Sequence, residues 1–223
     1  MSFTIKAGDI SFAVFDCDGV ILDSNAIKTE AFRQALDNYP GTVVEKLVEY
    51  HRKHGGISRY EKFRYFFDSL VNDPDESKYE VALDRFQKYC QENLREAPLV
   101  PGIVPFLHWL RERDILMFVV SGSDETELKA VLHDKQLSHF FKQILGSPVS
   151  KGENLSRLLE QESCNGGGVF FGDALLDFEI ASEHNLDFVY VYQFSDWEGG
   201  RMFCQQRQVM CISDFRPLLS NDS

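Results

Sequence analysis

The stretch Phe12-Ala13-Val14-Phe15-Asp16-Cys17-Asp18-Gly19-Val20-Ile21-Leu22-Asp23-Ser24 decides how the rest of the chain is read. Its first four residues are apolar and end abruptly at two carboxylates and a glycine. A short unbroken apolar run that stops at a charged turn is the pattern of a strand buried on both faces, as in a parallel sheet. Beyond it the style of the sequence changes. From residue 25 to about 89 nothing reads as a strand. Apolar residues recur there at helical spacing, as in Val44, Leu47, Val48 and again in Phe63, Phe66, Phe67, Leu70. Breakers at Pro40-Gly41, His54-Gly55-Gly56 and Asn72-Asp73-Pro74 leave room for about four helices.

After Arg95 the style changes again. Ala97-Pro98-Leu99-Val100-Pro101-Gly102 reads as a linker and turn, followed by a helix through Phe106, Leu107 and Leu110. Strand-like runs at 115–120, 144–145, 169–171, 188–191 and 209–212 then alternate with helix-length connections. Such alternation implies parallel βαβ units. The expectation is therefore an α/β fold: a doubly wound, Rossmann-like parallel sheet from residues 1–23 and 96–223, with an α-helical insert at 24–95. No internal repeat or low-complexity segment interrupts this pattern.

The 223 residues carry 23 Lys and Arg against 35 Asp and Glu, a net charge of −12. Such a balance argues against nucleic acid or an anionic membrane surface as partner, because phosphate backbones and lipid headgroups are gripped by clustered cations. The charge is also unevenly placed. Residues 24–95 hold twelve acidic and twelve basic side chains, so the whole excess lies outside the insert. No apolar run approaches the ~20 residues of a membrane span, and residues 1–10 carry no signal-peptide pattern. The five cysteines are odd in number and scattered, without a CxxC pair. Neither a disulfide framework nor a zinc site is expected, and free thiols fit a reducing, cytoplasmic setting.

In an open α/β sheet, ligands bind beyond the carboxyl ends of the strands. The first strand delivers Asp16 and Asp18 there, the second Ser121-Gly122, the third a loop to Lys151, and the fourth Gly172-Asp173 with Asp177 four residues on. Each alone has an ordinary reading, as a helix cap or a solvated charge. Together they place carboxylates, a hydroxyl and a lysine along one edge. Carboxylates held close repel and raise one another's pKa values unless a cation compensates. Hard oxygen donors select Mg²⁺, which is commonly shared with a substrate phosphate. Lys151 and Ser121 suit a phosphate's outer oxygens.

The segments 16–24, Ser121, Lys151 and Gly172-Asp173-Ala174-Leu175-Leu176-Asp177 resemble, in order and spacing, the four motifs of the haloacid dehalogenase superfamily. The helical insert looks like the cap of its phosphoglycolate phosphatase and β-phosphoglucomutase relatives. The resemblance implies Asp16 as nucleophile toward phosphorus and Asp18 as general acid and then base. It implies Mg²⁺ held by the carboxylates of Asp16 and Asp173 and the main-chain carbonyl of Asp18, supported by Asp177. Ser121, Gly122 and Lys151 would bind the phosphoryl oxygens. The implied activity is a phosphatase acting on a small phosphorylated metabolite, a phosphosugar or phosphocarboxylate, by a monomer or homodimer. A phosphomutase with the same intermediate stays open, as does a phospho-acceptor switch of the receiver type. A dehalogenase is disfavoured because those relatives lack the second aspartate.

The sequence departs from many relatives at Ala174, where a hydroxyl is common. Cys17 falls at the variable place between the aspartates and is read as contributing its backbone. Specificity should come from the insert. The segment from His51 to Lys62 admits two readings: a tight turn with Ser58 capping a helix and Glu61 completing a capping box, or Arg59, with His54 or Lys62, reaching a second anionic or polyhydroxyl part of the substrate. Asn25 is read as a helix cap, Gly166-Gly167-Gly168 as a turn, and Trp109 as core. His133, His139 and His184 show no ligand spacing.

Overall fold

The computed structural model describes residues 10–164 and 166–219; residues 1–9, which fall within the segment read as free of a signal pattern, lie outside the described part. Six parallel strands form one sheet: β1 (Phe12–Phe15), β2 (Leu116–Asp124), β3 (Gln143–Ser147), β4 (Gly168–Gly172), β5 (Asp187–Val191) and β6 (Met210–Ile212). Their order is β3-β2-β1-β4-β5-β6. The chain winds one way from β1 to β3 and the other way from β4, so the direction reverses between β1 and β4, where the carboxyl ends of strands leave a crevice.

All four residues of β1 are buried, as their unbroken apolar run requires. Ala13 and Phe15 belong to the core on one face, Phe12 and Val14 to the core on the other. On the first face lie α5 (Ile103–Arg111) and α6 (Glu125–Asp134), with Phe106, Leu107, Leu128 and Leu132 buried. On the second lie α7 (Lys151–Gln161) and α8 (Leu175–Glu183), through Leu155, Leu158, Ile180 and Ala181. Two short helices, α9 (Gly200–Gln206) and α10 (Arg216–Leu219), complete this part.

Between β1 and β2 come α1 (Asn25–Ala35), α2 (Gly41–Lys53), α3 (Arg59–Arg64) and α4 (Glu76–Asn93); α3 runs on as a π-helical segment, Tyr65–Leu70. Phe32, Phe63 and Phe86 pack at their centre, with Phe32 4.6 Å from Phe86 and 5.1 Å from Phe63 between ring centroids. Their apolar core is continuous with the first face of the sheet. Among the described residues no helix is long and apolar enough to cross a membrane, and all five cysteines are free.

Two sequence expectations shift. Gly166 and Gly167 make the expected turn with positive φ, but Gly168 opens β4 opposite Phe12, whose ring would lie 2.1 Å from any Cβ there. The second strand runs past residue 120 to Asp124, and its register against β3 shifts between Val120 and Asp124. Ser121, Gly122 and Ser123 therefore stand in a bulge at the strand's end, free of the regular ladder and turned to the crevice. Trp109 is half-buried and stacks on Phe106 at the edge of the core.

Candidate active site

Asp16 leaves the end of β1 buried, with its amide bonded to the carbonyl of Phe171. The loop behind it folds on the Cys17 carbonyl, which accepts amides from Val20, Ile21 and Leu22. Cys17 contributes backbone, as expected, and burial followed by the charges of Asp18 and Asp16 pushes its thiol well above the usual range. The loop needs glycine at 19: its φ is +77°, and a Cβ would lie 2.3 Å from Asp173 Oδ2.

Asp173 follows β4, and Asp177 sits in the first turn of α8. Asp177 Oδ2 accepts the amides of Asp173 and Ala174, both at 3.1 Å. Its carboxylate thereby caps the helix that Ala174 has no hydroxyl to cap. Lys151 opens α7 behind Ser150, whose hydroxyl accepts the Glu153 amide. The Lys151 ammonium is buried, 2.6 Å from Asp177 Oδ1 and 3.1 Å from Asp16 Oδ1. Burial would lower its pKa, but Asp16 and Asp177 outweigh that and hold it above the ordinary lysine value.

Ligand oxygens of Asp16, Asp173 and Asp177 all lie within 4.8 Å of one another. Burial, opposed by Lys151 but reinforced by Asp177 and Asp18, raises Asp16 to about 7. Burial and repulsion from Asp16 and Asp177 raise Asp173 far above the carboxylate range. Asp16 Oδ1 is buried and, beyond its ion pair with Lys151, accepts no aligned hydrogen bond. An all-oxygen set with one buried acceptor unfilled and two carboxylates driven toward protonation fits a hard divalent cation, which would supply the missing charge.

Asp18 stands apart electrostatically. Its Oδ1 accepts Ser24 Oγ at 2.5 Å and its Oδ2 accepts Ser123 Oγ at 2.6 Å. Burial alone would raise it, but Lys28 and these two hydroxyls hold it below the ordinary value. Two aspartates of one loop are thus driven in opposite directions while no cation is bound. Ser121 is buried at the crevice, and its Oγ accepts the Ser123 amide at 3.2 Å.

The insert closes over this edge through residues 54–57. A Cβ on Gly122 would meet the Gly56 carbonyl at 2.1 Å, and one on Gly55 would meet Ala174 Cβ at 2.9 Å. The cleft beneath is lined by Asp16, Asp18 and Asp173 from the sheet, and by Lys28, His51, Arg59 and Lys62 from the helices. His54 does not line it: its Nδ1 meets the Tyr50 carbonyl at 2.9 Å and its ring stacks on Tyr50. Ser58 does cap α3, accepting the Glu61 amide at 3.3 Å while bonding Glu61 Oε1 at 3.0 Å. Arg59 is buried and bonds Glu127 Oε1 at 2.8 Å, and Lys28 reaches the same oxygen at 2.6 Å.

Asn25 is a correction. Ser24, not Asn25, is the N-cap position of α1. The Asn25 amide instead donates to Asp173 Oδ2 at 2.9 Å and to the Phe194 carbonyl at 2.8 Å. Ser24, Ser123, Lys28, His51 and Glu127 were not singled out for roles here. Lys28 and His51 carried a signal: each occupies the apolar face of its helix, His51 in the series Val44, Leu47, Val48, His51. A titratable side chain at a core position needs a partner or a function. His133, His139 and His184 stay outside the cleft; His184 bonds Ser156 at 2.8 Å.

Fold and site together define a doubly wound α/β protein with a buried carboxylate–lysine centre beneath a helical insert. The chain belongs to the haloacid dehalogenase-like hydrolase family, whose profile matches residues 13–191. It is 23% identical over 218 residues to phosphoglycolate phosphatase 1 of Pseudomonas aeruginosa, covering 92% of this chain and 77% of that protein. A phosphorylated carbohydrates phosphatase of Thermotoga maritima is 23% identical over 142 residues, 63% of each chain. Among solved structures, β-phosphoglucomutase of Clostridium difficile superposes with a TM-score of 0.72 at 18% identity, over 94% of this chain and 93% of that one. A hydrolase of Pseudomonas syringae gives 0.73 at 15%, over 95% and 97%. At such identities the structural likeness speaks for the fold.

Proposed function

We propose that this hydrolase is an Mg²⁺-dependent phosphatase that hydrolyses a small phosphorylated metabolite through an aspartyl-phosphate, with residues 24–95 acting as its cap. The observation that carries the reading is the meeting of Asp16, Asp173, Asp177 and Lys151 at one buried point, with Asp18 beside it. The relatives' activities on phosphoglycolate and phosphorylated carbohydrates agree with it.

In this reading Asp16 and Asp173 carboxylates, with the Asp18 main-chain carbonyl, would hold Mg²⁺. The bound ion would neutralise charge on the phosphoryl oxygens and keep Asp16 ionised. Asp16 attacks phosphorus, and the P–O bond to the leaving group breaks. Asp18, which Lys28, Ser24 and Ser123 hold ionised in the free cleft, takes up a proton as the substrate binds, gives it to that departing oxygen, and then takes one from the water that opens the acyl phosphate. Ser121, Gly122 and Lys151 hold the phosphoryl oxygens, and Asp177 keeps Lys151 aimed. Asn25 orients Asp173.

The test is phosphate release from a panel of phosphorylated metabolites, with Mg²⁺ and with chelator, for the wild type and Asp16→Asn. Mg²⁺-dependent release that the variant lacks is the expected result. Persistent turnover in Asp16→Asn would exclude the nucleophile, and isomeric product without phosphate would assign a phosphomutase instead.

A further inference from the structure

The cleft above Asp16 holds three buried cations from the helical insert, and they are not equivalent. Lys28 and Arg59 converge on one oxygen of Glu127, a buried carboxylate supplied by α6. Arg59 also lies over the Phe86 ring at 4.8 Å. Both are already paired within the protein. Lys62 is different. It is 3% exposed, yet among the described residues no carboxylate oxygen lies within 4.0 Å of its ammonium. Among the described residues its one hydrogen-bond contact is His51 Nδ1, at 2.9 Å.

That contact has a chemical consequence. When Lys62 is protonated its ammonium has only donors, so Nδ1 of His51 accepts and the imidazole proton resides on Nε2. Burial and the neighbouring Lys62 charge keep the ring neutral by lowering its pKa well below the usual value. Phe32 packs against the ring, 4.8 Å between centroids, and fixes its orientation. The Nε2 atom is buried, with no hydrogen-bond partner among the described residues. The remaining ammonium N–H groups of Lys62 and the Nε2–H of His51 are thus donors lacking acceptors, and both residues line the cleft that holds Asp16. A buried cation with no carboxylate in contact is costly to the fold, so burial pushes Lys62 down to about 7 despite the attraction of Asp18, and an anion bound beside it would hold it protonated; a buried donor without an acceptor is costly too. Neutral hydroxyls could satisfy the donors, but only an anion also balances the charge.

We propose that Lys62, positioned by His51, reads a second anionic group on the substrate, so that the preferred substrates are small phosphomonoesters carrying a carboxylate or a further phosphate at their far end. This rests on the phosphatase reading of the same cleft. It assigns distal recognition to Lys62 and not to Arg59, whose guanidinium is already bonded to Glu127 and packed over Phe86.

The experiment uses the Mg²⁺-loaded protein and two readouts. Steady-state kinetics compare phosphoglycolate and propane-1,3-diol bisphosphate with ethyl phosphate and propyl phosphate, which lack the second charge. Calorimetry compares 3-phosphonopropionate, 1,3-propanediphosphonate and propylphosphonate, which bind without turning over. The wild type is expected to favour at least one charged series by about tenfold to a hundredfold, the range of a charge-assisted contact; the carboxylate and bisphosphate arms say which anion it is. In Lys62→Met that preference should collapse toward one, mostly through KM. His51→Gln, which keeps an N–H donor, should retain more of it than His51→Phe. Removing an unpaired buried charge should leave the melting temperature of Lys62→Met equal or higher, whereas a structural lysine would lower it. Equal affinity of wild type for charged and neutral ligands, or an undiminished preference in Lys62→Met, overturns the assignment while phosphate release from ethyl phosphate leaves the phosphatase reading standing. Failure of all three phosphonates to bind, with no release from any ester, overturns both.

Discussion

At the scale of single residues, the centre works by setting neighbours against each other. Asp16 and Asp18 are two positions apart, yet burial raises one while Lys28, Ser123 and Ser24 lower the other. The motif made both aspartates visible in the sequence, and the hydroxyls that separate their chemistry were not, because Ser123 comes from another strand. Asn25 illustrates the same limit. It stands one residue after Ser24 and looks like a helix cap, but its amide donates to Asp173, which lies just past β4 and 148 residues further along the chain. Asn25→Ala should therefore weaken Mg²⁺ affinity by about tenfold to a hundredfold, the usual effect of losing a partner that orients a ligand. Isothermal titration with Mg²⁺ measures it, and unchanged affinity would remove Asn25 from the metal's support.

At the scale of elements, one buried carboxylate on α6 ties two helices of the insert to the layer that covers the sheet. Glu127 on α6 accepts from Lys28 of α1 and Arg59 of α3, all three nearly excluded from solvent. Removing one side of a buried ionic cluster leaves uncompensated charge and costs about 3 to 5 kcal/mol. Glu127→Gln should lower stability by about that amount in urea unfolding, whereas Glu45→Gln, which touches a half-exposed Arg33, should cost under about 1 kcal/mol. Equal effects would mean that Glu127 does not bind the insert to the sheet. The helices themselves were legible because their apolar spacing is strong. The Glu127 contact was not, since residues 28, 59 and 127 are brought together only when the insert folds back over β2.

At the scale of the whole molecule, three buried groups, Asp16, Asp173 and Lys62, shape the response to pH. Asp16, raised from 3.8 to about 7, keeps a proton in the folded chain across a window where the unfolded chain has lost it. Stability of the metal-free protein should therefore fall as pH rises through that window, and Asp173, raised in the same sense, adds to the fall. Lys62, lowered from 10.5 to about 7 chiefly by burial, is uncharged in the folded chain where the unfolded chain still carries its proton. Stability should rise again from pH ~7 toward ~10. Melting temperatures across pH are expected to show this minimum, with Lys62→Met flattening the alkaline rise and saturating Mg²⁺ suppressing the acid-side fall, because bound metal favours ionised Asp16. A curve without a minimum, or one that Lys62→Met leaves unaltered, would contradict it. The net charge of −12 belongs to this scale too: the insert is neutral, and the acidic excess includes the four aspartates of the centre. By itself, the sequence determined the doubly wound sheet, the helical insert and the core motif residues, because strand and helix periodicity and the residues that end strands are local properties. Only the tertiary structure decided which cations remain available in the cleft, which hydroxyls hold Asp18, and that Asn25 serves Asp173. Those are matters of burial and distance between residues far apart in the chain, and no local pattern encodes them.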